Sequence, residues 1–261
     1  MRKWAGAVAF ITGGANGIGL GIARALARRG VLLALADLDA AALEDAAGEL
    51  TRLTKVRTYR LDVRDRAGFA EAADEAEREL GPVDLLFNNA GIVPVSSVAD
   101  LTYDKWDLAL DVNLNGVVNG VQTFLPRMIG RKSGHIVNTS SGAGLVPDAN
   151  PLYVTAKFAV VGLSDSLRLS AAAHGVDVSV LCPGPVDTGI LDRTRSLDSS
   201  VGIPDEHAPA VAEFLRNGPS VDQVGEEVLA AIEAGKQYVY TSGYDLRPQL
   251  EARAAALLSC L

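Results

Sequence analysis

The sequence predicts a doubly wound α/β fold: one parallel sheet of seven strands with helices on both faces. Two patterns carry that prediction. Short apolar runs alternate with longer amphipathic stretches along almost the whole chain, the signature of right-handed βαβ units. A glycine cluster, Thr12-Gly13-Gly14-Ala15-Asn16-Gly17-Ile18-Gly19, separates the first strand-like run from the first helix-like stretch. That is where a doubly wound sheet carries its ligand-binding turn.

Residues 8–11 read as the first strand, and 19–29 as a helix with Leu20, Ala23 and Leu26 on one face. Gly30 stops that helix, and 31–36 form the second strand. Helix 40–53, strand 56–61, helix 66–80 and strand 83–87 continue the rhythm, with Gly81-Pro82 as the turn before the last of them. Residues 103–129 supply one long helix or two abutting ones, 135–139 a strand and 154–173 a long helix. Strand 176–181 is interrupted by polar Asp177 and Ser179, and helix 221–234 with the short strand 237–241 completes the set. A closed eight-stranded barrel would need one more strand and would not normally place a phosphate loop after its first.

At 261 residues the chain is long enough to bury a substantial core and short enough to do so as one domain, 1–261. Apolar residues make up 48% and charged residues 21%, so it is expected to fold throughout. A formal net charge of -8 argues against a surface built to neutralise a phosphate backbone, and nucleic acid is not an expected partner. Cys182 and Cys260 stand far apart without His or Cys companions at metal-ligand spacing. No metal site is expected, and reduced thiols fit a cytoplasmic protein. Residues 1–6 leave no room for a signal peptide's apolar region, and no apolar stretch is long enough to span a bilayer, so no membrane partner is expected.

One segment breaks the rhythm. Residues 189–219 are rich in Asp, Ser, Pro and Gly, with short apolar patches such as 211–215. A long irregular insertion after a strand end is more often functional than idle, and it reads as a mobile lid over a substrate. A surface excursion or an oligomer contact is the alternative.

In the glycine cluster, Gly13 permits the tight turn, Gly17 clears the path of a diphosphate, and Gly19 lets the helix pack close to the sheet. The helix start adds free N–H groups and a positive dipole end. Asp37 follows the second strand, where such folds place a carboxylate on the adenosine ribose. It can accept from both ribose hydroxyls and would repel a 2′-phosphate. No Arg or Lys lies between Gly13 and Gly19 or directly after Asp37, so NAD is expected rather than NADP. The alternative for Asp37 is a cap on the helix beginning near Ala40, a task Asp39 would serve equally well.

Tyr153 and Lys157 are four apart and share a face if helical. A free phenol titrates near ~10, too high for proton exchange near neutrality, and an adjacent ammonium lowers it. Ser140-Ser141 end the preceding strand, and a loop with Gly142, Gly144 and Pro147 leads on to Tyr153. A serine hydroxyl at the carboxyl end of a strand can hold a substrate oxygen in company with the phenol.

These motifs, with Asn88-Asn89-Ala90-Gly91, Val112-Asn113-Leu114-Asn115-Gly116, Tyr153-Val154-Thr155-Ala156-Lys157 and Pro183-Gly184, occur in an order and spacing that resemble the classical short-chain dehydrogenase/reductase family over nearly the whole chain. The resemblance implies a Rossmann-like three-layer fold and an NAD-dependent oxidoreductase that interconverts a secondary alcohol and a ketone. Hydride would move at nicotinamide C4, with Tyr153 as acid/base and Lys157 lowering its pKa and holding the nicotinamide ribose. It implies cofactor contacts from Gly13, Asn16, Gly17, Ile18, Gly19 and Asp37, and from Asp62 and Val63 around the adenine. Asn89, Ala90 and Gly91 would line the ribose side, Pro183, Gly184 and Val186 the nicotinamide, and Thr188 would bond its carboxamide. Asn113 matches the family's helix residue that holds a water on the proton path to Lys157. Taken alone, it is a helix-distorting polar residue.

The strand pattern Ile136-Val137-Asn138-Thr139-Ser140-Ser141 places the family's catalytic serine on Ser141, although the usual separation from the tyrosine is one residue longer and selects Ser140. Ser141 is preferred, because a deletion in a loop is easier than a register change in a buried strand. Pocket positions such as Val93, Pro94, Val95, Ala143, Leu145, Val186, Leu191 and Phe214 are small or apolar. They suit an alcohol or ketone with a hydrophobic body, cyclic or steroid-like bodies included. An epimerase or dehydratase on the same scaffold would be longer, and a non-catalytic dinucleotide-binding protein would be expected to lose the Tyr153/Lys157 pair. The resemblance also implies a homotetramer or homodimer. Leu250, Leu257, Leu258 and Leu261 of the tail could bury against a partner or pack on their own subunit.

Overall fold

A computed structural model describes residues 4–260. The first half runs β1 (Val8–Thr12), α1 (Gly17–Ala27), β2 (Leu32–Asp37), α2 (Ala40–Leu50), β3 (Val56–Arg60), α3 (Arg66–Leu80) and β4 (Leu85–Asn88). It continues through α4 (Tyr103–Leu110), a π-helical turn (Asp111–Asn115), α5 (Gly116–Arg131), β5 (Gly134–Thr139), α6 (Pro151–Ala171) and β6 (Val176–Cys182). Last come α7 (Ile190–Leu197), α8 (Ala208–Arg216), α9 (Val221–Glu233), β7 (Tyr238–Tyr240) and α10 (Arg247–Leu258).

All seven strands pair in parallel, in the order β3-β2-β1-β4-β5-β6-β7. This is the doubly wound sheet, open at β3 and β7, and the closed barrel is excluded. Because side chains alternate across a strand, each strand but the short β7 feeds two cores. Ile11, Leu35 and Phe87 pack with Ile22, Leu26, Leu43 and Val228 of α1, α2 and α9. Phe10, Ala34 and Leu86 face Phe69 of α3 and Phe124 of α5 on the other side. The Phe10 and Phe124 rings lie 4.9 Å apart between centroids, a packing worth roughly 0.5–1.5 kcal/mol beyond area burial.

Helix α1 crosses α9 at backbone distance. A Cβ on Gly21 would stand 2.0 Å from the Val221 carbonyl oxygen, and one on Gly225 2.2 Å from that of Gly21.

Several boundaries differ from the sequence reading. α6 begins at Pro151 rather than 154, because proline suits the first helical position and Asn150 caps the turn. Its Oδ1 accepts the Tyr153 N–H at 3.4 Å. Residues 103–129 resolve into two helices joined by the π turn around Asn113. Segment 189–219 is not irregular: it holds α7 and α8. Its base is pinched shut, since a Cβ on Gly218 would lie 1.8 Å from the Pro185 carbonyl oxygen.

Cys182 is buried and Cys260 exposed. Leu257 and Leu258 are exposed, so α10 does not bury them on its own subunit; Leu261 and residues 1–3 lie outside the described residues. Among the described residues no group of His, Cys, Asp and Glu could hold a metal ion, and no helix is long and apolar enough to cross a membrane.

Candidate active site

A cleft of about 900 Å³ opens at the carboxyl edge of the sheet, where β1 and β4 lead in opposite directions. Ligand sites of this kind span roughly 300–1,000 Å³ and favour this switch point. Gly13, Asn16, Gly17, Ile18, Asp37, Asp62, Val63, Asn89, Ala90, Gly91, Ser141, Tyr153, Lys157, Pro183, Gly184, Val186 and Thr188 all line it.

Two expected site residues stand behind the lining. Gly19 is needed by the turn itself, since a Cβ there would lie 2.0 Å from the Gly13 carbonyl oxygen. Asn113 accepts the Ile92 N–H on Oδ1 at 3.0 Å, and its Nδ2 is buried without a partner. A Cβ on Gly91 would stand 2.9 Å from Asn113 Oδ1 and 3.4 Å from Lys157 Nζ, so both side chains reach the back of the same wall.

The phosphate turn is braced from β4. Asn89 Nδ2 donates to the Thr12 and Gly13 carbonyls at 3.1 and 3.3 Å, and Thr12 Oγ1 accepts from the Asn89 and Ala90 N–H groups. Gly13 and Gly17 adopt φ +62° and +50°, a left-handed backbone that favours glycine. A Cβ on Gly17 would stand 3.0 Å from Thr188 Cβ, so the segment after β6 closes over this turn.

Asp37 Oδ2 accepts the Ala15 N–H at 3.1 Å. The cap of α2 is Asp39, which accepts the Ala42 N–H at 3.1 Å, so Asp37 is free of that task. Asp62 is gripped by the Arg64 guanidinium at 2.6–3.0 Å, and this hydrogen bonding holds its carboxyl below the usual range.

At the other end, the two serines differ in their bonding. Ser140 is buried and its Oγ donates to the Lys157 carbonyl at 2.7 Å. Ser141 Oγ accepts the Ala143 N–H at 3.1 Å and lies near enough to the Tyr153 phenol to favour its charged form. Lys157 Nζ donates to the Thr139 carbonyl at 3.1 Å and stands 5.5 Å from the Tyr153 ring centroid. Burial pushes the phenol up to about 12, with Ser141 opposing, and pushes the Lys157 ammonium down to about 8. In the protein alone the phenol is therefore raised rather than lowered, and Lys157 is not among the groups that shift it.

A family model described as short chain dehydrogenase matches residues 7–198. The chain belongs to the short-chain dehydrogenase family. This short-chain dehydrogenase is 34% identical to a C alpha-dehydrogenase of Sphingobium sp., covering 92% of the chain and 81% of the relative. It is 37% identical to oxidoreductase UcpA of Escherichia coli, with 93% of each covered. A short chain dehydrogenase/reductase from Burkholderia phymatum, solved in complex with NAD, superimposes with a TM-score of 0.91 at 32% identity, covering 99% of this chain and 96% of that one. The short-chain dehydrogenase is thus an oxidoreductase by family.

Val93, Ala143, Val186, Leu191 and Phe214, read from the sequence as pocket positions, line the cleft. Pro94, Val95 and Leu145 are not in the lining; the Val95 N–H is tied to the Val201 carbonyl at 2.8 Å. Tyr240, Tyr244 and Arg193 line the cleft without having been singled out from the sequence. The tyrosines sit in and after the short β7, where nothing local marks them.

Proposed function

We propose that the protein is an NAD-dependent dehydrogenase that interconverts a secondary alcohol and a ketone with a hydrophobic body, beneath a lid formed by residues 189–219. The observation that carries this reading is the placement of Ser141, Tyr153 and Lys157 at one end of a single cleft and of Asp37 beneath the glycine turn at the other.

The donor set fits a dinucleotide. Asn16 Nδ2 is buried without a partner beside the phosphate turn, and the start of α1 favours anions. Asp37 and the turn suit an adenosine ribose and a diphosphate, as do Asp62 and Val63 the adenine. Pro183, Gly184, Val186 and Thr188 suit the nicotinamide end. When bound, NAD supplies the hydride acceptor or donor.

The protein handles the proton and the alignment. In oxidation the Tyr153 phenolate takes the alcohol O–H proton while Ser141 Oγ donates to the same oxygen. In reduction the Tyr153 phenol returns the proton to the carbonyl oxygen. Lys157 holds the ribose beside Tyr153 and lowers the phenol, and Asn113 completes the proton path behind Lys157. Apolar side chains from Val93, Val186, Leu191 and Phe214 exclude water from the substrate's body.

NADH formation across a panel of secondary alcohols tests the reading, and no turnover of any member, with no reduction of the matching ketones, overturns it. Separate serine variants test the machinery. Ser141→Ala should lower turnover by about 10²-fold or more; an intact rate there with a collapse in Ser140→Ala would reverse the assignment. Asp37→Ala should weaken NAD by about tenfold and narrow its preference over NADP. Tighter binding of NADP than NAD by the unmodified protein counts against the ribose assignment.

A further inference from the structure

We propose that Arg193, on the first turns of the lid helix α7, is the cation that grips the diphosphate of the dinucleotide and thereby couples cofactor binding to closure of the lid. The inference rests on the reading of the cleft as a dinucleotide site. It concerns a residue that neither the glycine turn nor the Tyr153 end requires.

The geometry is specific. Gly189 turns the chain with φ +64°, and α7 returns over the phosphate turn. A Cβ on Gly17 would stand 3.4 Å from Arg193 Nη2, so the guanidinium lies beside the glycine whose missing side chain opens that turn. Nη2 donates to the Thr188 carbonyl. No ion pair to Arg193 is formed among the described residues; burial disfavours its charge, and Asp37, Asp39 and Asp192 oppose that from a distance. Of the other cations that line the cleft, Arg64 pairs with Asp62 and Lys157 lies beside Tyr153.

A guanidinium carries five N–H donors in a planar fork suited to phosphate oxygens. Here it stands beside the start of α1, whose partial positive charge offsets only about half of one negative charge. The adjacent residue fixes the same helix to the far wall, since Thr194 Oγ1 accepts the Val93 N–H at 3.0 Å. A phosphate held by Arg193 would therefore pin the helix whose Leu191 and Leu197 face the substrate end.

The test uses ADP-ribose and adenosine as probes, with affinities measured by calorimetry for ADP-ribose and by NMR for adenosine. Arg193→Ala should weaken ADP-ribose about tenfold or more and leave adenosine within about twofold, while Arg193→Lys recovers part of the loss. Glutamyl-specific proteolysis at Glu206 and Glu213 reads the lid directly. ADP-ribose should protect both sites in the unmodified protein and fail to do so in Arg193→Ala at equal saturation. Unchanged ADP-ribose affinity in Arg193→Ala, equal losses for both probes, or undiminished protection at saturation overturns the proposal. Failure of the unmodified protein to bind ADP-ribose overturns instead the dinucleotide reading on which it rests.

Discussion

Tyr153→Phe should leave NAD affinity within about twofold while turnover falls by about 10²–10⁴-fold, the range that positioned proton transfer supplies. The substitution keeps the ring that packs beneath Lys157 and removes only the hydroxyl beside Ser141. Burial holds that phenol at about 12 in the protein alone, so it is neutral at pH 7. Oxidation needs the phenolate, and a cationic nicotinamide beside it favours that form. The rate of alcohol oxidation should therefore rise with pH through an apparent pKa well below 12, and carbonyl reduction should fall through the same range. A pH–rate profile in both directions checks this, and turnover undiminished in Tyr153→Phe would remove the proton-transfer role.

Lys157→Met should have an equally large effect of a different kind, damaging turnover and NAD affinity together by about 10²-fold or more in kcat/KM while making the ligand-free protein more stable. The buried ammonium titrates at about 8, below its ordinary 10.5. Across that interval the unfolded chain binds the proton more strongly, so stability rises with pH between about 8 and 10.5, and the cost of the charge is complete below 8. A methionine removes the cost at pH 7. It also removes the bond to the Thr139 carbonyl, which returns roughly 1 kcal/mol of it. The net gain is on the order of 2 kcal/mol, or roughly 4–8 °C in a domain of this size. Thermal melts at pH 7 and pH 10 measure it. An unchanged or lower Tm at pH 7 would show that Lys157 is retained for stability rather than at its expense.

The sheet was legible because its central strands are buried on both faces and each strand ends in a glycine, proline or polar turn. Phe10 and Ile11 show why an apolar run there means a parallel strand: one feeds each core. The two ends of the cleft were legible because their motifs are local, a turn within eight residues and a Tyr/Lys pair one helical turn apart. What escaped depends on contacts distant in sequence. Arg193 approaches Gly17 because Gly189 turns the chain so that α7 returns to the glycine turn, and the absence of cations near Asp37 in sequence said nothing of this.

The helices of segment 189–219 were hidden by their caps and turns. Val211, Phe214 and Leu215 have helical spacing, yet α8 has no buried residue, and Phe214 rests on Tyr244 with ring centroids 5.8 Å apart. Leu145 was misplaced because the residues 142–144 form a tight 3-10 turn, which carries the following side chain away from the cleft. The start of α6 was misread by three residues, and with it the fact that Tyr153 hangs on the Asn150 cap.

The pinched base between Pro185 and Gly218 makes the intervening stretch a cassette. Its two ends meet at backbone contact, and the chain beyond them is riveted to α1 through the Gly21–Gly225 crossing. Changes of length are therefore expected to be tolerated chiefly between Val201 and Gly218, because Thr188 packs on Gly17 and Thr194 and Val201 bond the wall at Val93 and Val95.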